Sequence, residues 1–577
     1  MKVPRLLVLL APALVALGAE PRVEFTASAP DVACYDFIEI AAEVGTPTAR
    51  NPFTDAVLEG TFHRAGHAPV VVDGFCDSAD GRVFRIRFMP AEPGNYEYAL
   101  TYRDATGTAT RTGTFTARDE RKRGIVRIDP EYPAHFQYQG SKERFFWNGT
   151  TAFWLAGWDD GTLQQNLDRL DRLKVTRVRA ALAGRVQDAQ AWPSHVAPGD
   201  KFSFRLEPWL AAHPENVERP DFDVTRFNVA YWQKWERLLA YARAVDMAVS
   251  VVFYVDGSHP GVDPFGKAGM GGADEQRYYR YAVARLGAYC NVMWDVADDY
   301  RQFRDDAWAD QMGRFLKKCD PYGHLTSLHG QEDFRFRTAP WADFAMYQRW
   351  DESGGYDFML KNRLAQEQTG RLIPQVNEEY GYEDWYPKGQ ADDRVAPARA
   401  AATRARIAWQ IYLAGGYQTT GERADSGPGG WVNGGGDDTL TMLELYGHMY
   451  DFFTGIRWWE LRPDTELVVK VDPLPGSNVA AETPRSYAAR NPAGDLAAIY
   501  VRGGGIVALK GELLKDQLKP LWFSPRDGGM RNARAMRNRV YRTPTADDWV
   551  LLFRTPCNCS FRDFDNELES NWGERRY

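Results

Sequence analysis

Hydrophobic and polar positions repeat with different periods in different parts of this chain. From Val23 to about Arg118 the alternation is short, as in Phe37-Ile38-Glu39-Ile40, Val83-Phe84-Arg85-Ile86-Arg87-Phe88 and Tyr96-Glu97-Tyr98-Ala99-Leu100. Turns such as Ser78-Ala79-Asp80-Gly81 and Pro93-Gly94-Asn95 separate the runs at the spacing of a β-sandwich. From Tyr132 strands begin to alternate with amphipathic helices. Counted from Thr151-Ala152-Phe153-Trp154-Leu155, the strands are Val175–Ala180, Ala248–Tyr254, Asn291–Val296, Leu325–Leu328, Phe344–Tyr347, Leu372–Val376 and Tyr417–Thr420, with helices such as Leu163–Leu173, Val229–Val245 and Gln276–Leu286 between them. Eight βα units over about 330 residues are what a (β/α)8 TIM barrel with long loops requires. A doubly wound sheet is the alternative, but no Gly-rich nucleotide loop follows any of these strands. Beyond about Glu466 short β runs return, as in Leu496–Val501, Ile506–Leu509, Leu521–Phe523 and Trp549–Phe553. The predicted organisation is multidomain: an N-terminal β-sandwich (21–118), a charged linker (119–131), a (β/α)8 barrel (132–465), a small C-terminal β-sandwich (466–556) and a polar tail (557–577).

Composition sharpens this picture in three places. The 577 residues exceed one ordinary domain. A 44% hydrophobic and 26% charged content is ordinary for a globular chain, whereas 13% aromatic residues with 19 Trp is rich and fits a carbohydrate ligand, whose apolar sugar faces stack on rings. A net charge of −8 without a long basic run argues against nucleic acid as a partner. At the N-terminus Lys2 and Arg5 precede an apolar run from Leu6 to Leu17 and the small residues Gly18-Ala19. That is the layout of a secretory signal peptide (1–19), too short for an integral membrane segment, so a secreted or periplasmic protein is expected. Six cysteines are too few for a disulfide framework; Cys34 with Cys76, or Cys557 with Cys559, could pair, or they could be free and buried.

In a barrel of this kind reactive groups sit where strands end. Strand seven runs into Pro374-Gln375-Val376-Asn377-Glu378-Glu379-Tyr380-Gly381-Tyr382. Alternation puts Gln375, Asn377 and Glu379 on one face and Val376 and Glu378 on the other, so one glutamate, Glu379, is expected inside the barrel. Strand four ends in Asp295-Val296-Ala297-Asp298-Asp299, where the same rule aims Asp295 and Asp299 together. Two facing carboxylates are what glycoside cleavage needs, one to protonate the leaving oxygen and one to attack carbon or activate water. The competing readings stay open: Glu378 and Glu379 cap a strand at the surface, and Asp298 and Asp299 cap the next helix.

These residues resemble a family. The barrel looks like clan A glycoside hydrolases, and the layout is similar to the apiosidase-like group of bacterial proteins, which join an N-terminal β domain of unknown function, a cellulase-like barrel and a C-terminal β domain of collagen-binding type. The carriers are Asn51-Pro52-Phe53-Thr54-Asp55 and Phe88-Met89-Pro90, Asn291-Val292-Met293-Trp294 and Asn377-Glu378-Glu379-Tyr380-Gly381-Tyr382, and Trp522-Phe523-Ser524-Pro525-Arg526-Asp527-Gly528 with Asp548-Trp549-Val550-Leu551. The resemblance implies Glu379 as nucleophile, Asp299 at the acid/base position and Arg179 as the residue that orients the nucleophile. One departure is plain: such barrels carry Asn-Glu where this chain has Asp298-Asp299. The acid is one methylene shorter, which widens the carboxyl separation by roughly an ångström and leaves retaining and inverting outcomes both open.

Substrate-binding candidates at other strand ends are Arg179, Asp298, Asn377, Trp154, Trp158, Asp159, His259, His329, Tyr347, Glu422 and Trp431, with packing or solvated loop as the alternative for each. Crowded carboxylates could hold calcium, but their spacing is not that of a metal loop, and no metal or cofactor is expected. No Gly-x-Ser-x-Gly elbow or His-Glu-x-x-His helix appears. The expected function is a secreted hydrolase of O-glycosidic bonds in a polysaccharide or oligosaccharide; the alternative is a non-catalytic carbohydrate-binding protein on a degenerate barrel.

Overall fold

The computed structural model describes residues 22–185, 201–255, 257–259, 261–349, 354–383, 400–422, 434, 441–477, 479–480 and 483–555. Eight parallel strands form the central sheet: β1 (Asn148–Thr151), β2 (Arg177–Arg185), β3 (Ala248–Tyr254), β4 (Val292–Asp295), β5 (Thr326–Ser327), β6 (Ala345–Gln348), β7 (Gln375–Glu379) and β8 (Tyr417–Thr420). Their order is β5-β4-β3-β2-β1-β8-β7-β6, so β1 and β8 pair and the sheet curls into a nearly closed (β/α)8 barrel. The seam between β5 and β6 is bridged by single bonds, Asp343 N donating to Thr326 O at 2.8 Å and Ser327 Oγ to Phe344 O at 2.5 Å.

Helices α1 (Asp160–Arg172), α2 (Val229–Ala244), α3 (Ala273–Leu286), α4 (Asp306–Cys319), α5 (Tyr356–Glu367), α6 (Ala401–Leu413) and α7 (Met442–Thr454) follow every strand except β5. The β5–β6 connection is a coil in which buried Phe334, Phe336 and Trp341 cover the barrel where a helix would lie. The first strand also begins earlier than its hydrophobic run indicated. Phe153 and Trp154 belong to the turn after β1, and Leu155–Gly157 is a 3-10 turn.

Sheets that are antiparallel apart from one parallel pairing, of Asp31–Ala33 with residues 116–118, flank the barrel on both sides. At the N-terminal side a four-stranded and a five-stranded sheet face each other across Ile40, Leu58, Phe62, Phe84, Ile86 and Leu100, positions that alternate in or out as the period of two demands. Arg87 joins this domain to the barrel, donating to Glu236 and to Arg285 O, each at 2.8 Å. The Asn51–Asp55 segment is a turn, and the Asn51 amide donates to Thr225 O at 3.0 Å. The C-terminal side carries a six-stranded and a four-stranded sheet around Ile499, Val507, Trp522, Trp549 and Phe553. Cys34 and Cys76 are free and buried; Cys557 and Cys559 lie outside the described residues. No helix among the described residues is long and apolar enough to cross a membrane.

Candidate active site

All nine residues of β2 are buried. Its alternate side chains include two arginines, so the barrel interior is built around guanidinium groups that must find partners, because an unpaired buried charge costs several kcal/mol. Arg177 donates to Glu378 Oε2 at 2.7 Å, to Ser250 Oγ at 2.8 Å and to Thr419 Oγ1 at 3.0 Å, with its guanidinium 4.4 Å from the Trp147 ring centre. Two residues on, Arg179 donates to Glu379 Oε1 at 3.0 Å and to Asp298 Oδ1 at 2.5 Å, with Phe153 beneath it at 4.9 Å. Each arginine is fully buried, and Arg177 forms the lower layer and Arg179 the upper, toward the C-terminal ends of the strands where Asp298 and Glu379 stand.

Both glutamates of β7 therefore reach the interior, which corrects the expectation that alternation would admit one. Tyr347 pairs with Asn377 and the next residue, Gln348, pairs with Glu379. Glu378 is the extra residue of a β-bulge, and a bulge breaks the period of two. Gln375 and Asn377 keep to one face as predicted, but that face looks outward: Gln375 accepts from Tyr347 and Asn377 donates to Gly354 O at 3.0 Å beside α5.

Glu379 accepts from Gln348 Nε2 at 3.0 Å as well as from Arg179, and the Tyr382 phenol is hydrogen-bonded to it. Asp298 also accepts from His329 Nδ1 at 2.5 Å. Asp299 stands next to it with φ 42°, ψ 40°, a left-handed backbone that few non-glycine residues adopt and that strained sites concentrate. One of its oxygens accepts from Gln302 Nε2 at 2.8 Å. Asp295 ends β4 fully buried, with Oδ2 3.8 Å from Arg179 Nη2 and neither oxygen hydrogen-bonded among the described residues.

Five carboxylates thus share one pit with two arginines and a histidine, and the pKa values separate accordingly. Burial opposes ionisation of Asp298 and Glu378, but His329 with Arg179 in the first case, and Arg177 with Arg179 in the second, outweigh it and hold both below the usual range. Burial would depress His329; Asp298 overrides it and lifts the imidazole to about 9, so the ring is a cation at neutral pH. Burial and the charge of Asp298 push Asp299 up to about 7 and raise Glu379. Burial lifts Asp295 to about 7. Asp299 and Glu379 together retain a proton into the neutral range. Glu379 takes hydrogen bonds from Arg179, Gln348 and Tyr382, which favour its anion, so that proton resides on Asp299. One carboxyl protonated and one ionised across a barrel mouth is an acid and a nucleophile or base.

Ligand atoms of Asp298, His329 and Glu379 lie within 4.8 Å of one another, the one group among the described residues placed to hold a metal ion. The same atoms are engaged by Arg179 and by the His329–Asp298 bond, so an entering cation would have to displace a guanidinium.

The other candidates scatter. His329 joins the pit. Trp154 is fully buried, its indole donating to Phe204 O at 3.0 Å, and Trp158 packs on Phe202 with ring centres 4.8 Å apart. Asp159 caps α1, accepting from Thr162 N at 2.9 Å. Tyr347 points to the helix layer, where its hydroxyl bridges Arg337 and Gln375. Glu422 accepts both Arg169 forks at 2.7 Å. His259 is exposed on the loop after β3, and Trp431 lies outside the described residues. Gln348, Tyr382 and Arg177 were not among the candidates. Tyr347 was named where its neighbour Gln348 makes the contact, because a one-residue error in a strand exchanges its faces.

Among known proteins, residues 135–421 match the family described as the Apiosidase-like catalytic domain, and residues 31–103 match DUF5060, a domain of unknown function. No curated protein matches the sequence. A solved structure from Bacteroides vulgatus ATCC 8482, described as a candidate glycoside hydrolase, has a TM-score of 0.69 at 19% identity, covering 91% of this chain and 100% of its own. A second structure, described as a glycoside hydrolase, has a TM-score of 0.57 at 15% identity over 75% of this chain and 97% of its own. A glycoside hydrolase of family 5, also from B. vulgatus, has a TM-score of 0.56 at 14% identity over 75% and 93%. At these identities the likeness is one of fold: the central barrel matches the apiosidase-like catalytic domain and shares its architecture with glycoside hydrolases.

Proposed function

We propose that this protein hydrolyses O-glycosidic bonds of a polysaccharide or oligosaccharide, with Glu379 as nucleophile and Asp299 as general acid and then base. The observation that carries the reading is the opposed state of the two groups: Glu379 is held by three donors, and Asp299 is pushed up to about 7. Asp299 would protonate the leaving oxygen while Glu379 attacks the anomeric carbon; water, deprotonated by Asp299, would then release the sugar. Arg179 would keep Glu379 aimed and anionic throughout, and Asp298, pinned by Arg179 and His329, would orient a sugar hydroxyl. Retention of configuration is the proposed outcome. The leader Met1–Ala19 would direct export.

Product release from a panel of plant, algal and bacterial glycans by wild type and Glu379→Gln tests this. Cleavage of one glycan by wild type, reduced on the order of 10^4-fold in the variant, supports the assignment. Equal rates in both would overturn the role of Glu379. Binding of a glycan by wild type without cleavage would favour the carbohydrate-binding reading, to which the Asp298-Asp299 pair in place of Asn-Glu lends weight. NMR of the first anomer formed decides the stereochemistry.

A further inference from the structure

Residues 524–543 carry six arginines and a single aspartate in a chain of net charge −8. They run along the open edges of the C-terminal sandwich. Strand β9 (Met530–Asn532) is the last strand of the six-stranded sheet, and β10 (Ala535–Arg537) is the last strand of the four-stranded sheet, bonded to β11 (Val540–Arg542) alone. The chain crosses from one edge to the other through Ala533-Arg534, so a single short stretch borders both sheets.

Two of the six arginines are committed to the fold. Arg539 donates to Leu514 O and Lys515 O, and Arg526 donates to Asp548 O at 2.5 Å. The other four, Arg531, Arg534, Arg537 and Arg542, are exposed, and among the described residues none has a carboxylate within ion-pair distance. Arg531 is steadied by the Trp549 ring, 5.5 Å from its guanidinium.

Charges on a sheet edge discourage strand-to-strand aggregation, and either sign serves that purpose. A run of a single sign, in which each guanidinium repels the next and none is neutralised, is not explained by it. Guanidinium groups match carboxylates through two parallel hydrogen bonds. Three residues of extended chain span roughly 10 Å, so Arg531, Arg534 and Arg537 recur at short intervals along the stretch that borders both sheets and concentrate positive charge there for an extended polyanion. Exposed Asn532 and Asn538 add amides that pair with hydroxyls. Met536 is the one large apolar side chain exposed here, which is too little for insertion into a lipid surface, and no exposed ring is present to stack a base.

We propose that this flank is a binding site for a polysaccharide bearing carboxylates, a polymer of uronic acid residues, which docks the protein independently of the barrel. Binding needs no cleavage, so this proposal and the hydrolase reading fail separately.

Native gels containing polygalacturonate or uncharged dextran test it on the full chain. Retardation is expected in polygalacturonate alone, fading as salt rises from about 0.1 to about 1 M and the Debye length shrinks from roughly 10 to 3 Å. The variant R534E/R537E/R542E keeps the edges charged and spares Trp549; it is expected to bind about 10-fold or more weakly. R534K/R537K/R542K, which keeps charge without the fork, should fall between. The same charge change at exposed Arg103, Arg111 and Lys361 is the control, and thermal unfolding of each variant verifies the fold. Equal weakening by the control variant, or capture by sulfated dextran or anionic vesicles but not by polygalacturonate, would overturn the proposal.

Discussion

Two arginines on one strand, two residues apart and equally buried, live in different circumstances. Arg177 closes a charge-balanced layer: its Nε donates to Ser250, its Nη1 to Glu378 and Thr419, and Trp147 lies against its face, while Nη2 and Glu378 Oε1 make no hydrogen bond among the described residues. Arg179 anchors an unfinished one, where Asp298, Glu379, Asp299 and Asp295 outnumber the cations and two carboxyls are lifted to about 7. A balanced buried ion pair is a structural element, whereas an excess of carboxylates at the open end stores protons that chemistry can use. The comparison separates what the barrel needs in order to stand from what it offers a substrate.

The comparison breaks most visibly if the lower layer is opened. Arg177→Met leaves Glu378 buried without its hydrogen-bonded partner, with only Arg179 Nε at 3.9 Å, and is expected to cost about 3–5 kcal/mol of stability, measured by chemical denaturation; Arg177→Met/Glu378→Leu should recover most of it. If the single variant is as stable as wild type, the lower layer is not structural. Asp299→Asn acts on the upper layer alone: kcat/KM is expected to fall about 10^2–10^4-fold with the unfolding midpoint little changed. In wild type the same group should set the alkaline limb, activity falling as pH rises through about 7 because the acid must carry its proton. That limb should vanish in the variant.

Asp295→Asn sharpens the contrast through stability. Its folded pKa is raised to about 7 from 3.8, so the folded state binds this proton more tightly than the unfolded chain. The stabilisation is complete below about pH 4 and is lost as pH rises through 7. The variant should match wild type near pH 4, begin to surpass it by pH 5 and lead it most from about pH 7 upward, and parallel melting curves from pH 4 to 8 check this. The smallest effect is expected from Gln348→Ala, which removes one donor to Glu379: about 1 kcal/mol, or roughly five- to tenfold in kcat/KM, without loss of fold.

Periodicity alone was enough to separate two β regions from a βα region, because a sheet face and a helix stripe impose periods of two and 3.6 on whatever sequence fills them. It also placed Glu379, Asp298 and Asp299 where strands end, whereas Arg179 followed from the family resemblance and lies inside β2, which runs on to Arg185. What local pattern could not reveal was the bulge at Glu378, which depends on how β6 and β7 register, and hence that both glutamates enter the barrel. The same limit misled the choice of Tyr347 over Gln348 and offered Trp154 and Asp159 as subsite residues when the first is core and the second a helix cap. A tryptophan or an aspartate near a strand end reads the same whether it faces ligand, core or backbone.

The sequence by itself determined the class of each region and the stock of charged groups available at the barrel mouth, since those follow from short-range pattern and residue type. Only the tertiary structure decided which charges neutralise one another and which remain in excess. That outcome rests on distances of a few ångströms between residues more than 100 positions apart, as between Arg179 and Asp298 or Glu379, where burial makes each contact count for far more than it would in water.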